Sequence, residues 1–284
     1  MQDKTIKVLL LFATKTFGED VKEILQGLNK YRERYNNAHF NYVIDLCGIG
    51  KGDENSLPEL ALLRTYDVLF VDTSSTFLES GDELGNRIAQ FFLERGALVV
   101  CCFTNCSKQY DTLSNTVELR GKFKEWELHP CKHSEALVES GGEYFLHEKM
   151  DPLHPILQHV TSEFNGGTYS GHVICDLHSE SKLLATWANS DKTMVHPLII
   201  ERTNFVQSYK LEQQQQKDKV QEQSKQHIIV ALNMCAVSSN GASSCWSYDD
   251  ESGHRILCQT VQHVANYAFT YKGIVPVYKL LLAA

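Results

Sequence analysis

Four short apolar runs in the first part of the chain alternate with stretches of mixed polarity. The runs span residues 6–13, 41–46, 67–73 and 97–103. Continuous apolar runs of this length are typical of parallel strands that are buried on both faces. Between them, residues 18–33 and 82–95 carry apolar side chains at helical spacing. The pattern therefore predicts the order β-α-β, a loop, and then β-α-β.

This order predicts an α/β domain of the flavodoxin-like, doubly wound class, with a mostly parallel sheet and helices on both faces. Ligands of such sheets bind beyond the carboxyl ends of the strands, where the strand order reverses. The loops after the first, third and fourth strands meet there and are rich in small hydroxyl side chains. Hydroxyls, backbone N–H groups and helix N-termini can together hold an anion or a polar ligand. The predicted ligand-binding residues are Thr14, Lys15, Thr16, Thr73, Ser74, Ser75, Thr104 and Asn105.

The alternative interpretation is that these serines and threonines cap helices and close turns. Both interpretations stay open at the level of sequence.

The second half of the chain has a less regular pattern. Its candidate strands are residues 122–128, 183–188, 198–202 and 227–234. Residues 254–269 carry one apolar stripe and predict a last helix that packs on the sheet. Residues 207–226 include four consecutive glutamines and almost no apolar side chains, which favours a loop or an exposed helix. We interpret residues 1–284 as a single domain with this Gln-rich insertion, and an interaction arm is the functional alternative for the insertion.

The net charge and the cysteine content limit which binding partners and which cellular compartment we expect. With 27 basic and 35 acidic residues the formal charge is −8, which disfavours broad binding to nucleic acid or to an anionic membrane. The nine cysteines are irregularly spaced and form no Cys-x-x-Cys pair, which favours a reducing compartment. No apolar segment is long enough to span a bilayer. We expect a cytoplasmic protein whose partner is a small polar ligand or another protein, with no nucleic acid and no membrane.

The order of these features resembles the class I glutamine amidotransferase-like superfamily, and is closest to its ThuA-like and non-catalytic branches. The resemblance rests on segments that follow one another in the family's order. They are residues 67–72, the helix-to-strand segment 91–100, His154-Pro155-Ile156-Leu157, and the strands at 183–187, 197–200 and 228–232.

The resemblance implies a nucleophilic cysteine in a Gly-x-Cys-x-Gly elbow at the end of the fourth strand. Counting from Gly96, this elbow falls on residues 101–105, where Phe103 stands in the position of the cysteine. Cys101 and Asn105 replace the two glycines, so the strained turn would be difficult to form. The Gln-rich insertion also occupies the region of the glycine-rich turn that ThuA-like branches carry. We therefore predict no catalytic residue and no glutaminase activity.

Two other arrangements, one of cysteine with histidine and one of histidine with glutamate, could serve catalysis. Cys102 or Cys106 could act as a displaced nucleophile with a nearby histidine as base, although buried cysteine more often fills a core. His178 and Glu180 have the spacing of the family's His-x-Glu pair, but they precede the strand at 183–188 and have no nucleophile to serve.

Metal and cofactor binding have weak support in the sequence. His129, Cys131 and His133 alternate along the chain and would share one face of an extended segment, but no fourth ligand is identifiable. Residues 14–18 are only faintly similar to a flavodoxin phosphate loop, and no flavin-stacking aromatic can be placed. We predict no cofactor and assign no metal ligand.

The function expected from these features is a non-catalytic, amidotransferase-like module for polar-ligand binding or protein interaction. Two alternatives stay open. One is a ThuA-like enzyme that acts on a sugar or polyol with metal assistance, and the other is a scaffold subunit whose Gln-rich arm docks a partner.

Overall fold

The computed structural model describes ten ranges of the chain. They are residues 4–35, 40–54, 56–73, 76–106, 117–134, 137–138, 144–161, 172–203, 227–233 and 251–270. Ser74, Ser75 and the Gln-rich insertion at 207–226 lie outside the described residues, so the predictions on them stay predictions. Within these ranges, no helix combines the length and the apolar character that crossing a membrane requires.

The described ranges contain strands and helices in the order that the apolar runs predict. The strands are β1 (Lys4–Phe12), β2 (Phe40–Gly48), β3 (Val68–Asp72), β4 (Ala97–Cys101), β5 (Leu137–Val138), β6 (Tyr144–Lys149), β7 (His172–Val173), β8 (Ser181–Asn189), β9 (Val195–Thr203) and β10 (Ile228–Leu232). The helices are α1 (Lys15–Lys30), α2 (Leu60–Leu63), α3 (Gly81–Arg95), α4 (Gly121–Glu125) and α5 (Glu251–Thr270), with 3₁₀ turns at Cys102–Asn105 and Pro155–Leu157.

Eight of these strands form one sheet in the order β2-β1-β3-β4-β10-β9-β8-β6. The first five strands in this order are parallel to one another. The strands β9, β8 and β6 extend the sheet with antiparallel pairings. A parallel set in the order 2-1-3-4-5 is the flavodoxin-like arrangement, so the predicted fold class is confirmed.

Both faces of the sheet are covered, which explains why the strand sequences are continuously apolar. Along β1, Val8 and Leu10 pack against α1 and α5, whereas Leu9 and Leu11 pack against α2, α3 and α4 on the other face. Five consecutive positions of β1, residues 8–12, are at most 2% exposed. A polar side chain at any of these positions would be buried on one face of the sheet or the other. The run therefore contains no polar residue.

Residues 122–128 do not form the predicted strand: Gly121–Glu125 is the short helix α4. The apolar side chains Phe123 and Trp126 are three residues apart, which is helical spacing, and Phe123 packs into the core while Lys122 lies over the Trp126 ring at 5.4 Å. The strand β6 was absent from the prediction, because its burial is irregular and a register shift interrupts its pairing with β8.

A pair of glycine substitutions tests how tightly α3 packs. A Cβ atom at Gly85 would lie 2.1 Å from the backbone oxygen of Arg120, whereas a Cβ at Gly27 would meet nothing closer than 3.6 Å. We expect Gly85→Ala to lower the free energy of unfolding by about 1–3 kcal/mol, because a backbone atom must move. Gly27→Ala adds the same methyl group inside α1 and should raise stability by about 0.5–1 kcal/mol.

Chemical denaturation of both variants beside the wild type measures the difference. If Gly85→Ala were as stable as the wild type, the packing of α3 against residues 119–121 would be looser than the structure shows.

Candidate functional site

The carboxyl ends of β1, β3 and β4 lie side by side, as the strand order requires. Phe12 pairs with Asp72, and Val71 pairs with Val100, so the residues that follow all three strands reach one edge of the sheet. The backbone N–H of Ala13 donates to the carbonyl of Asp72 at 2.8 Å. Thr14 and Thr73 are therefore brought to adjacent strand ends, as predicted from the loop sequences.

Thr14, Lys15 and Thr16 form the start of α1. The Thr14 hydroxyl lies 3.0 Å from the hydroxyl of Thr76 and makes no capping hydrogen bond to the helix. The first turn has no acidic residue, and the side chains of Lys15 and Thr16 are exposed. This end of α1 therefore combines the backbone N–H groups of a helix start, the positive end of the helix dipole and a lysine.

Thr73 lies next to this helix start and is fully buried. Its hydroxyl has no hydrogen-bond partner among the described residues. The neighbouring Asp72 is also buried, and its Oδ1 lies 3.1 Å from the Cys101 thiol, which donates to it. A buried hydroxyl without a partner is unfavourable by about 1–3 kcal/mol, so a ligand that hydrogen-bonds to Thr73 would be stabilised at this edge.

Thr104 and Asn105 use their polar groups inside the protein. The Thr104 hydroxyl donates to the Cys101 carbonyl at 2.8 Å, and the Asn105 amide donates to the Cys131 carbonyl at 2.8 Å. The Asn105 carbonyl accepts from the backbone N–H of Ser134 at 3.1 Å. These two residues hold the loop after β4 in place, which is the turn-closing role that the sequence left as the alternative.

The chain after β4 forms a 3₁₀ turn at Cys102–Asn105, where the superfamily has its nucleophile elbow, and all four residues are buried. Phe103 is 7% exposed and Cys102 is 1% exposed. The described non-glycine residues with positive φ are Glu127, His159 and Lys192, so this turn has none. Burial raises the pKa of the Cys102 thiol well above its usual value, which keeps it neutral.

Three cysteines from separate segments meet beside this turn. The sulfur atoms of Cys102, Cys131 and Cys175 lie within 4.8 Å of one another, and we call this group the three-thiol cluster. The Sγ atoms of Cys102 and Cys131 are 3.8 Å apart. Hydrogen bonds from the Cys102 and Cys131 thiols lower the pKa of the half-buried Cys175 to about 5, so Cys175 is the member of the group that loses its proton most readily.

His129, Cys131 and His133 do not converge as metal ligands. His129 Nδ1 accepts from the Cys131 backbone N–H at 3.0 Å, so the ring proton lies on Nε2. Burial lowers the pKa of His129 to about 3, so the ring is neutral. His133 instead approaches Glu118, with Nδ1 3.0 Å from Oε1. Of the three, only Cys131 belongs to a group of close ligand atoms among the described residues.

The residues of the His-x-Glu spacing, His178 and Glu180, each have a partner other than one another. The backbone N–H of His178 donates to the Pro130 carbonyl at 3.3 Å, and Glu180 pairs with Arg202, whose Nη2 lies 3.3 Å from Oε2. Burial lowers the pKa of His178, and Arg202 adds to this effect. Both residues lie close to residues 129–131, and the motif alone did not predict this position.

A second group of titratable side chains lies on the face covered by α5. Glu201 of β9 accepts from His154 and His263, with Nε2–Oε2 distances of 3.4 and 2.7 Å, and we call this group the His–Glu–His cluster. Burial would raise the pKa of Glu201, but the hydrogen bonds from both imidazoles outweigh it and lower the pKa to about 2. Because His154 Nδ1 accepts from the Ile156 N–H, its proton lies on Nε2 and points at Glu201.

This tautomer matters because a metal bound at His154 Nε2 would displace that proton. The ring would then have to carry it on Nδ1, which faces a backbone donor. The His–Glu–His cluster is therefore a hydrogen-bonded brace between the 3₁₀ turn at Pro155–Leu157, β9 and α5. In the sequence only His154 stood out, as part of the His-Pro-Ile-Leu segment.

No known protein family and no curated protein sequence matches the chain. Comparison of structures finds matches over nearly the whole chain. The cytoplasmic protein STM3548 from Salmonella typhimurium aligns with a TM-score of 0.55 and 12% identity, over 91% of this chain and 98% of that protein. A protein from Bacteroides uniformis ATCC 8492 described as ThuA-like aligns with a TM-score of 0.52 and 11% identity, over 93% of each chain.

A third structure, the glutaminase domain of Trypanosoma brucei CTPS, aligns over 95% of this chain and 96% of that domain, with a TM-score of 0.37 and 7% identity. That score is too low to carry an argument. The first two similarities show that the chain shares the fold of these two proteins, one of which is described as ThuA-like, and this confirms the predicted resemblance at the level of the fold.

Proposed function

We propose that this protein is a non-catalytic module with an amidotransferase-like fold that binds a small anionic or strongly polar ligand at the carboxyl ends of β1 and β3. The observation that carries the proposal is the fully buried Thr73 hydroxyl, which has no partner among the described residues and lies beside the start of α1. Ligands of doubly wound sheets bind at this edge.

The start of α1 suits an anion for three reasons. Its first turn has no acidic side chain, its N-cap Thr14 makes no capping hydrogen bond, and Lys15 supplies a positive charge. Phosphate or carboxylate groups are the usual ligands of such helix ends. The interaction arm proposed for residues 207–226 lies outside the described residues, so ligand binding is the part of the expected function that these contacts support.

The absence of catalysis is proposed from the turn at Cys102–Asn105. Hydrolysis of glutamine in this superfamily needs an exposed thiolate next to oxyanion-holding N–H groups. Here Phe103 occupies the position of the nucleophile, and the Cys102 thiol is buried and neutral.

Calorimetric titration with inorganic phosphate, a small dicarboxylate and a polyol tests the binding site. We expect the anions to bind, Lys15→Gln to weaken binding about fivefold through the lost charge, and Thr73→Val to weaken it about tenfold through the lost donor. Lys30→Gln removes the same charge at the opposite end of α1 and should have no effect on binding. If Lys15→Gln and Lys30→Gln weakened binding equally, the effect would come from the net charge of the protein, and the proposed site would be wrong.

Ammonia release from glutamine tests the second part of the proposal. We expect none above the rate without protein. Turnover that disappears in Cys102→Ser or Cys106→Ser would overturn the non-catalytic assignment, and preference for the polyol over both anions would favour a sugar-directed ThuA-like activity instead.

A further inference from the structure

The sulfur atoms of the three-thiol cluster have different neighbours from those of three other described cysteines. The thiols of Cys47, Cys101 and Cys258 each donate to an oxygen atom, at 3.6, 3.1 and 3.4 Å respectively. These are ordinary buried cysteines that fill core space. In the cluster the sulfur atoms of Cys102, Cys131 and Cys175 instead approach one another, from three segments that are far apart in the chain.

We propose that Cys102, Cys131 and Cys175 form a site for one thiophilic d¹⁰ cation, Zn²⁺ or Cu(I). Zinc binds thiolate at about 2.3 Å, so two sulfurs of a tetrahedral site are about 3.8 Å apart. The Cys102 and Cys131 sulfurs are already 3.8 Å apart, and all three lie within 4.8 Å of one another. Closing the remaining gap requires a shift of at most about 1 Å, which a side-chain rotation of Cys175 can supply.

The backbone around the cluster is fixed by hydrogen bonds, as a metal site requires. The Cys131 carbonyl accepts from the Asn105 amide, and its N–H donates to His129. Cys131 also pairs with Leu177 in an isolated antiparallel β-bridge, and the backbone N–H of Lys132 donates to the Asp176 carbonyl at 2.8 Å. These contacts hold the segment of Cys131 against the segment of Cys175.

The three cysteines differ in exposure, so the site is closed to solvent on the side of Cys102 and Cys131 and can be entered on the side of Cys175. Cys102 and Cys131 are 1% and 2% exposed, whereas Cys175 is half-buried. Three ligands with an open fourth position are the pattern of zinc sites that also bind a water or substrate.

The charge balance favours a cation. Three thiolates in this buried position would carry three negative charges, and Zn²⁺ reduces the net charge to −1.

Metal titration of the reduced, chelator-treated full chain tests the site, with Zn²⁺ and Cu(I) in separate anaerobic experiments and a competing chromophoric chelator as the readout. We expect one ion per chain. Cys102→Ser, Cys131→Ser and Cys175→Ser should each weaken binding by about 100-fold or more, since changes to residues that only support a metal's ligands already weaken it 10–100-fold. Cys258→Ser, a buried cysteine on the opposite face of the sheet, should bind like the wild type.

A second measurement avoids variants that fail to fold. In the wild-type chain, the bound ion should protect Cys102, Cys131 and Cys175 from alkylation, as read by peptide mapping. Full stoichiometry in Cys175→Ser, or a folded, reduced wild type that binds neither ion, would overturn the proposal. So would a Cys102–Cys131 disulfide, formed in air with the loss of two hydrogens, as the only product of the cluster in the presence of Zn²⁺.

The metal site is independent of the ligand site proposed at α1. Thr73→Val should lose the anion and keep the metal, while Cys175→Ser should do the reverse. The two proposals can therefore fail separately.

Discussion

Replacing Asn233 by alanine is expected to lower the free energy of unfolding by about 3–5 kcal/mol. Asn233 is fully buried at the carboxyl end of β10. Its Oδ1 accepts from the Val173 N–H at 2.9 Å, and its Nδ2 donates to the carbonyls of Val173 and Pro197 at 2.9 and 2.8 Å. Alanine would leave three buried backbone groups without their partner, and each such group is unfavourable by about 1–3 kcal/mol before relaxation.

The same substitution should also affect the three-thiol cluster. Val173 lies two residues before Cys175, so losing the Asn233 contacts frees the segment that carries this cysteine. We expect faster alkylation of Cys175 in Asn233→Ala, measured together with urea denaturation.

Asn189→Ala is the matched control, because the Asn189 side chain bonds only to exposed groups near Thr193 and Met194. It should change stability by less than about 1 kcal/mol. If both asparagine variants lost the same small amount, the contacts of Asn233 would contribute no more than a surface turn does.

Glu201→Gln is expected to remove about 3 kcal/mol of stability at neutral pH. The pKa of Glu201 is lowered from its ordinary 4.5 to about 2 in the folded protein. A group whose folded pKa is depressed contributes stability above its unfolded pKa, and this contribution is lost as the pH falls through the folded value. For Glu201 the loss therefore runs from about pH 4.5 down to about pH 2.

Denaturation at a series of pH values checks this prediction. The wild type should lose about 3 kcal/mol more than Glu201→Gln between pH 4.5 and 2. Glu148→Gln changes an exposed glutamate of β6 and should leave the pH profile of the wild type intact. An unchanged acid limb in Glu201→Gln would show that the imidazoles of His154 and His263 do not stabilise the carboxylate.

The hydrophobic pattern was sufficient for the parallel half of the sheet. The strands β1 to β4 and the helices α1 and α3 all lie where their apolar runs and helical stripes place them. The strands β3 and β4 and residues 8–12 of β1 are buried on both faces, and the helices are buried on one face, so the period of the apolar positions reports the element directly. The strand order and the carboxyl-end edge then follow from general rules of α/β connections.

The pattern was a weaker guide after β4, where elements are short and half-exposed. The run at 122–128 mixes charged residues with Phe123 and Trp126, and its alternation and helical spacing cannot be separated over so few positions. Only the packing of Phe123 into the core selects the helix. The position of Phe103 in place of the elbow cysteine was readable from the sequence, because it needed only a count from Gly96.

By itself the sequence determined the fold class, the residues that follow β1, β3 and β4 at one edge of the sheet, and the presence of Phe103 where the elbow was expected to have cysteine. These depend on local periodicity and on spacing within one strand and its loop. The tertiary structure alone decided that Thr104 and Asn105 are held by internal hydrogen bonds, that Thr73 keeps a buried hydroxyl, and that the three-thiol cluster exists. Such contacts join residues far apart in the chain, and no periodicity records which distant side chains the packing of a sheet and its loops will bring together.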